Sequence, residues 1–322
     1  MIRKHILKSI QEEYVTESEL IEKLNITHEH LKENLMMLKD AGYDIIHEND
    51  KGYKLINAPD IIEPFEIKRN LSTKYIAHNI HLYEEVTSTN DIAKKFVDNN
   101  APEGTVIIAE QQTAGRSRSK RNDWASPEGG IWMTMILKPD VTLLEASKLT
   151  IVTGVAIAKT LHDNFDLDAG IKWPNDIMIG NKKICGILTE AVTDYDDLKA
   201  VLIGIGIDVN INQKDLPKDL QDITTTVNEE SSEDIKRAEI MKVFFSIFEE
   251  YYEEFKEGKF KHIIGEWRRL SSTTGNRVKV YKDGKAMIAD AVGIDNQGAL
   301  IVELDDGSLE KIISGECIIV DE

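Results

Sequence analysis

Lys172-Trp173-Pro174-Asn175-Asp176 places a lysine, a carboxamide and a carboxylate inside an otherwise apolar stretch. Charges on a buried strand need partners, because unpaired ones are costly to desolvate. One reading pairs a lysine with the aspartate at the strand end. The other takes Pro174 as a bend that turns the polar trio toward a cleft. Asp176 can there hold the Mg²⁺ of a bound nucleotide, an ion that takes one or two carboxylates besides phosphate oxygens. A second segment, Gly115-Arg116-Ser117-Arg118-Ser119-Lys120-Arg121, carries four cations in seven residues on a chain of net charge −18. Guanidinium forks suit phosphate oxygens, and small residues let backbone N–H groups approach an anion. A solvated basic loop is the plainer alternative.

Three weaker segments complete the set. Asn181-Lys182-Lys183-Ile184-Cys185-Gly186-Ile187-Leu188 reads as a turn that delivers a lysine to the start of a strand. Gly186 inside that strand suggests close approach by another backbone or a ligand, more than a solvated turn requires. In Val86-Thr87-Ser88-Thr89-Asn90-Asp91, a Ser or Thr ahead of IAKKF reads as a helix N-cap. The same hydroxyls and amide suit a small polar head group. Gly204-Ile205-Gly206 lacks the helix-opening context of a dinucleotide fingerprint and fits close strand packing equally well.

These segments need a scaffold, and a chain of 322 residues is long enough for two or three domains. Composition, 41% hydrophobic and 30% charged, is that of a globular protein. The acidic balance disfavours a surface wholly committed to nucleic acid or anionic membrane, so any polyanion site must be a local patch. Apolar runs such as VLIGIGI are too short to span a bilayer, and the first residues break into charge too soon for a secretory leader. Cys185 and Cys317 lie far apart without ligand-spaced histidines, which argues against a disulfide framework or a zinc site. The expectation is a cytoplasmic protein with no membrane partner.

Residues 1–57 read as three helices and a hairpin. Apolar positions 2, 6, 7 and 10 form one stripe; Thr16 and Glu19 form a capping box for the next helix. Thr27 caps a third helix, which Gly42 stops, and strands over 43–48 and 52–56 follow. This predicts a winged helix-turn-helix over 1–60. After a linker and core entry over 61–79, residues 80–271 alternate strands and helices, as in an α+β mixed sheet. Predicted strands are 105–110, 130–137, 171–179, 184–192 and 200–211, with one long helix over Leu143–Phe165 and a helical block over 233–257 and 260–270. From residue 272 to the end, short strands alternate with turns, a pattern that predicts a small SH3-like β-barrel.

In this order and spacing, Ser88-Thr89-Asn90, Gln112-Thr113-Ala114-Gly115-Arg116-x-Arg118, KWPND and Lys183-x-x-Gly186 resemble the biotin protein ligases. A winged helix in front and a small barrel behind make the resemblance closest to the bifunctional ligase/repressors, and it covers essentially the whole chain. It implies a class II synthetase-like core that condenses biotin with ATP to biotinyl-5′-AMP. Biotin would then pass to one lysine of a biotin carboxyl carrier domain. It also implies biotin contacts from Ser88, Thr89, Asn90 and Gln112, and a loop of Arg116, Ser117 and Arg118 closing over biotin and the α-phosphate. Lys183 would lie at the biotin carboxylate and the phosphate, with Asp176 near Mg²⁺. Trp124 would stack on adenine, and Arg121, Lys172, Asn175 and Asp208 would complete the nucleotide site. By resemblance again, a ligand-promoted homodimer is expected.

The chain departs from the family pattern in places. Ser117 and Lys120 stand where the loop usually has glycine, and the common GIGIN stretch ends here in Asp208. Cys317-Ile318-Ile319-Val320 occupies the region where relatives can offer an arginine. Residues 1–57 hold eight Lys/Arg against eleven Asp/Glu, and the recognition helix begins His28-Glu29-His30-Leu31-Lys32-Glu33-Asn34 without arginine. Duplex binding draws on neutralised phosphates, so an operator-binding role rests on architecture. Thr27, His28, His30, Lys32 and Lys51 are its candidate contacts. Two further readings stay open: a lipoate-type ligase, which would not be expected to carry KWPND, and a DNA-binding biotin sensor without catalysis, which would need no Lys183.

Overall fold

The structure, a computed structural model, describes residues 2–118, 124–195, 197–282 and 285–320. The chain divides into two compact units, Met1–Asn70 and Leu71–Glu322.

The first unit runs α1 (Ile2–Ile10), α2 (Glu17–Leu24), α3 (His28–Asp40), β1 (Asp44–Glu48), β2 (Gly52–Asn57) and α4 (Pro64–Lys68). Thr16 accepts from Glu19 N–H, and the Glu19 side chain accepts from Thr16 N–H, so both halves of the capping box form. Asn25 takes the left-handed conformation that ends α2. Thr27 then accepts from His30 N–H to open α3. The expected stripes meet: Ile6, Leu7 and Ile10 pack with Leu20, Leu31, Leu35 and Leu38 under Tyr43, Ile45, Tyr53 and Leu55 of the hairpin. Gly52 has φ +96°, and a Cβ there would lie 2.1 Å from the Val15 carbonyl oxygen. The segment expected to be linker holds α4, in which buried Glu66 accepts from Tyr43 Oη at 2.7 Å and meets Arg69 at 2.9 Å.

The second unit is built on a mixed sheet. Its strands are β3 (Ile80–Val86), β4 (Thr105–Gly115), β5 (Trp124–Ser126), β6 (Ile131–Leu137), β7 (Ala169–Lys172), β8 (Asp176–Ile179), β9 (Lys182–Asp194) and β10 (Asp197–Ile207). They lie in the order β3-β4-β6-β10-β9-β8-β7, with β5 paired to β4. Only β3 and β4 run parallel; the remaining pairs are antiparallel. Helix α5 (Thr89–Asp98) packs Ala93 and Val97 on Ile107, Ile136, Ala200 and Leu202. Short α6 (Leu143–Ala146) and long α7 (Leu149–Phe165) follow, and α7 sets Gly154 against Ile171 and Ile187 on the other sheet face. Beyond β10 come a 3₁₀ turn (Gln213–Asp215), α8 (Lys218–Gln221), α9 (Val227–Glu230), α10 (Arg237–Lys256) and α11 (Phe260–Arg269). No helix among the described residues is long and apolar enough to cross a membrane.

The unit ends in a second, antiparallel sheet of β11 (Arg277–Lys282), β12 (Lys285–Ile294), β13 (Leu300–Glu303), β14 (Leu309–Ile312) and β15 (Cys317–Ile319), ordered β14-β13-β12-β11-β15. Val278 and Val280, Ala289 and Ala291, and Leu300 and Val302 are buried in alternation along their strands. Turns at 295–298 and 304–307 separate the strands, with Asp295 Oδ1 accepting from the N–H groups of Gln297 and Ala299. Residues 283–284 lie outside the described residues.

Several local expectations are corrected. Leu143–Phe165 is two helices parted at Ser147-Lys148, the first opened by a capping box of Thr142 and Glu145. The run 171–179 is two antiparallel strands, and the bend at Trp173-Pro174-Asn175, with a cis Trp173–Pro174 bond, folds β8 back on β7. Strand β4 continues through Gln111–Gly115, which places part of the basic segment's approach inside the sheet. Ser88 occupies the N-cap position of α5 without a capping hydrogen bond.

Candidate functional site

Two glycines make a flat floor on the α5 face of the sheet. Gly186 of β9 stands directly opposite Gly206 of β10. Trp124 lies across them: a Cβ at Gly206 would sit 2.8 Å from its Nε1, and one at Gly186 3.1 Å from its ring. The strand pairing Gly115↔Trp124 delivers the indole there, and it also needs a glycine. A Cβ at Gly115 would fall 2.3 Å from the Trp124 carbonyl oxygen.

Lys183 reaches the same floor from the start of β9. Its Nζ lies 4.5 Å from the Trp124 ring centroid and 2.5 Å from Asp176 Oδ1. The aspartate's partner is therefore Lys183, not Lys172, although Lys172 stands opposite Asp176 in register. The Asp176–Lys183 approach is an ion pair without hydrogen-bond alignment, since Asp176 Oδ1 has no hydrogen-bond partner. Asn175 beside it is tied down, donating to the Ile187 carbonyl at 3.0 Å and accepting from Arg118 at 3.1 Å. Trp173 serves the scaffold: it is buried, its N–H donates to Thr273 Oγ1 at 2.8 Å and its Nε1 to the Gly298 carbonyl at 3.0 Å.

A polar pocket adjoins the floor at the start of α5. Gln112 Oε1 accepts from Thr89 N–H at 2.8 Å and from Thr89 Oγ1 at 3.1 Å, while its Nε2 donates to Ser126 at 2.9 Å. Thr134 Oγ1 bridges Thr89 and Asn90 at 2.8 and 2.5 Å. Asn90 Nδ2 donates to Glu190 at 2.6 Å. Ser88, Thr89 and Asn90 are all buried, and this lattice of bonds fixes the polar atoms of Thr89 and Asn90 in orientation. Gly204 belongs to it, because a Cβ there would come 2.5 Å from Asn90 Oδ1.

The basic segment is anchored, not freely solvated, at its first arginines. Arg116 pairs with Asp91 at 3.0 Å and with Glu190 at 2.9 Å. Burial draws the Arg118 guanidinium below its ordinary value, and the Asp176 charge opposes that pull. An arginine remains protonated under such a shift. Ser117 and Arg118 line the cavity; Lys120 and Arg121 lie outside the described residues. Asp208, just past β10, is 2% exposed. Burial pushes its carboxyl up to about 8 against the attraction of Lys183.

One cavity of about 1240 Å³ gathers Ser88, Thr89, Asn90, Gln112, Arg116, Ser117, Arg118, Trp124, Lys172, Asn175, Asp176, Lys183 and Asp208. Segments separated by more than a hundred residues thus converge on one concavity with cations at one wall and neutral hydrogen-bonding groups at another. That arrangement suits two substrates, a polar neutral group and a polyanion, brought together at Lys183. Among the described residues no cluster of three His, Cys, Asp or Glu side chains could hold a metal by itself. Asp176 offers one carboxylate, which fits an ion that takes its other oxygens from a phosphate chain. The five candidate nucleic-acid contacts lie in the first unit. There His28 Nε2 stands 2.5 Å from Glu17, Lys32 3.8 Å from Glu17 and Lys51 2.7 Å from Glu48.

Sequence reasoning missed Glu190, Thr134, Ser126 and Asp91. Glu190 carried a usable signal, a carboxylate within the apolar strand ICGILTEAV; Thr134 in GIWMTMIL carried the same one.

Residues 82–208 match the biotin/lipoate A/B protein ligase family, and residues 273–320 match the biotin protein ligase C-terminal domain. The bifunctional ligase/repressor BirA of Bacillus subtilis is 32% identical over 319 residues, covering 98% of each chain. The BirA of Escherichia coli is 25% identical over 305 residues, 94% of this chain and 92% of its own. Among solved structures, the Aquifex aeolicus biotin protein ligase in complex with biotin and ATP superposes with a TM-score of 0.66. It is 29% identical, over 76% of this chain and 100% of its own.

Proposed function

Because the chain belongs to the biotin protein ligase family, we propose that it joins biotin to ATP and then to a lysine of a biotin carboxyl carrier domain. In the first step a biotin carboxylate oxygen bonds to the α-phosphorus as the bond to pyrophosphate breaks, giving biotinyl-5′-AMP. In the second the lysine amine attacks the acyl carbon, AMP leaves, and the amine gives up a proton. The observation that carries this reading is the convergence of Lys183, Asp176, Arg118 and Trp124 with the Thr89–Gln112 pocket in one cavity.

Two anions must meet in the first step, so cations have to be in place beforehand. Lys183 and Arg118 supply them, at the biotin carboxylate and the α-phosphate. Thr89, Asn90 and Gln112, locked by mutual hydrogen bonds, present a preformed surface to the neutral biotin ring, with Ser88 beside them. Arg116 and Ser117 close over the substrates. Trp124 on its glycine floor offers a face for adenine, with Lys172, Asn175 and Asp208 around the nucleotide; Arg121, outside the described residues, is assigned there by the family resemblance. Asp176, whose Oδ1 lies 2.5 Å from the Lys183 ammonium, would hold Mg²⁺ through its carboxylate, and the ion would neutralise the departing pyrophosphate. Biotin-dependent ATP–pyrophosphate exchange tests this reading. Exchange with biotin and none with lipoate is expected; exchange with lipoate alone moves the protein to the sister ligases, and none with either sinks it.

The same proposal takes residues 1–60 as a winged helix-turn-helix, 61–79 as linker and core entry, 80–271 as the catalytic domain and 272–322 as an SH3-like barrel. A second role as a biotin-responsive repressor, in a ligand-promoted homodimer, would use Thr27, His28, His30, Lys32 and Lys51. Three of these side chains face carboxylates of their own unit, and Glu17 holds two. Glu17→Gln is therefore expected to tighten binding to a random-sequence duplex several-fold at low salt and to steepen its salt dependence. Equal absence of binding by both proteins in a mobility-shift assay would end the repressor reading.

A further inference from the structure

Asn90 and Arg116 line the cavity; Glu190 does not, yet it is joined to both. Its place follows from the period of β9. Gly186, Leu188 and Glu190 share one face of that strand, and Glu190 stands opposite Leu202, where α5 packs. Oε2 accepts from Asn90 Nδ2 at 2.6 Å, while Oε1 lies 2.9 Å from Arg116 and 3.4 Å from Lys94. Asn90 and Lys94 come from α5, and Arg116 from the basic segment just past β4. The two cations offset the carboxylate's charge where only 19% of its side chain meets solvent.

What Glu190 does to Asn90 follows from donor and acceptor chemistry. A carboxylate only accepts, so Asn90 must turn its NH₂ toward it. The amide oxygen is then left to Thr134, whose hydroxyl donates at 2.5 Å. Thr134 cannot set this sense by itself, because a hydroxyl donates or accepts as its neighbour requires. Gly204 confines the amide, since a Cβ there would come 2.5 Å from Oδ1, but confinement does not tell oxygen from nitrogen. A carboxamide turned end for end keeps its shape and exchanges donor for acceptor toward the cavity. Among the described residues, Glu190 is the one charged group bonded to Asn90.

Resting on the ligase reading above, we propose that Glu190 is a positioning residue for biotin: anchored by Arg116 and Lys94, it fixes the sense of the Asn90 amide. The biotin ring carries a carbonyl and N–H groups, so a reversed amide sets donor against donor or acceptor against acceptor. An amide in the correct sense about a tenth of the time raises the apparent Kd about tenfold. ATP is assigned to the Trp124 side of the cavity, and its binding does not depend on that sense. Arg116 keeps Asp91 at 3.0 Å when Glu190 is removed, so the basic segment retains an anchor.

Calorimetric titration of biotin into the full chain and its Glu190→Ala and Glu190→Gln variants tests this, with a thermal melt beside each. Glu190→Ala should raise the Kd for biotin about tenfold, while kcat and the KM for ATP in pyrophosphate exchange stay within about twofold. Glutamine matches the native residue in size but donates as well as accepts. Glu190→Gln should therefore weaken biotin several-fold at an unchanged Tm. In an Asn90→Ala background neither change should add to the loss, because the group through which Glu190 acts is gone. Native Kd values in both variants overturn the positioning role and leave the ligase reading in place. An additive loss beside Asn90→Ala, or an equal rise in the KM for ATP, reduces Glu190 to a structural part and overturns it as well. A native chain that binds lipoate and not biotin overturns the ligase reading, and the positioning role with it.

Discussion

Lys183→Ala is expected to lower biotin-dependent pyrophosphate exchange about 100- to 1000-fold, the usual cost of removing one preplaced donor from developing negative charge. The loss should appear mainly in kcat, because the ammonium's attraction grows as the two anions approach bonding distance. Folding should be little affected. Lys183 and Asp176 each retain 22% side-chain exposure, so the stranded carboxylate can turn to water. The indole above loses its cation at 4.5 Å, yet the glycine floor that seats it remains. The measurement is single-turnover adenylate formation beside a thermal melt. Turnover close to the native rate in a folded variant would remove Lys183 from the chemistry.

Gly204→Val should weaken biotin binding by a comparable amount through a different route. The added Cβ would arrive 2.5 Å from Asn90 Oδ1. Asn90 cannot step aside cheaply, since Thr134 donates to that oxygen at 2.5 Å and Glu190 accepts from Nδ2 at 2.6 Å. Losing both bonds costs about 2–4 kcal/mol, or about 30- to 1000-fold in Kd. Thr89 and Gln112 share the same network, so the damage spreads along the pocket wall. Titration calorimetry with biotin reads the loss. A double variant with Asn90→Ala should bind no more weakly than Asn90→Ala alone, because the clash has then been removed. A further additive loss would place the effect of Gly204 elsewhere.

What could be read from the sequence was mostly local. Thr16 and Glu19 are three residues apart and form the expected capping box; Pro174 marks the bend between β7 and β8. The partner of Asp176 was not legible, because it depends on how β8 registers on β9 and on the reach of the Lys183 side chain. Strand β3 escaped notice since the alternation of Ile80, Leu82 and Val86 is broken by Glu84 and Glu85: it is an edge strand, and mostly its backbone is engaged, by parallel pairing to β4. Trp124 was placed near the nucleotide through the family motif alone. Its seat on Gly186 and Gly206 requires three strands to come together, and no short window contains them. The hydrogen bonds of Glu190 and Thr134 to Asn90 are likewise products of tertiary register.

That register also limits how the chain can change length. The β9–β10 hairpin pairs residue by residue from Ile207↔Cys185 out to Ala200↔Val192, and faces alternate along both strands. A single residue inserted anywhere in that span would carry Ile205 or Ile207 to the place opposite Gly186 and press a branched side chain into the indole's seat. The same slip would turn the strand's core residues outward. Insertions and deletions in this hairpin are consequently compatible with the site only beyond Val192 and Ala200, where the ladder already carries Lys199 as an extra residue.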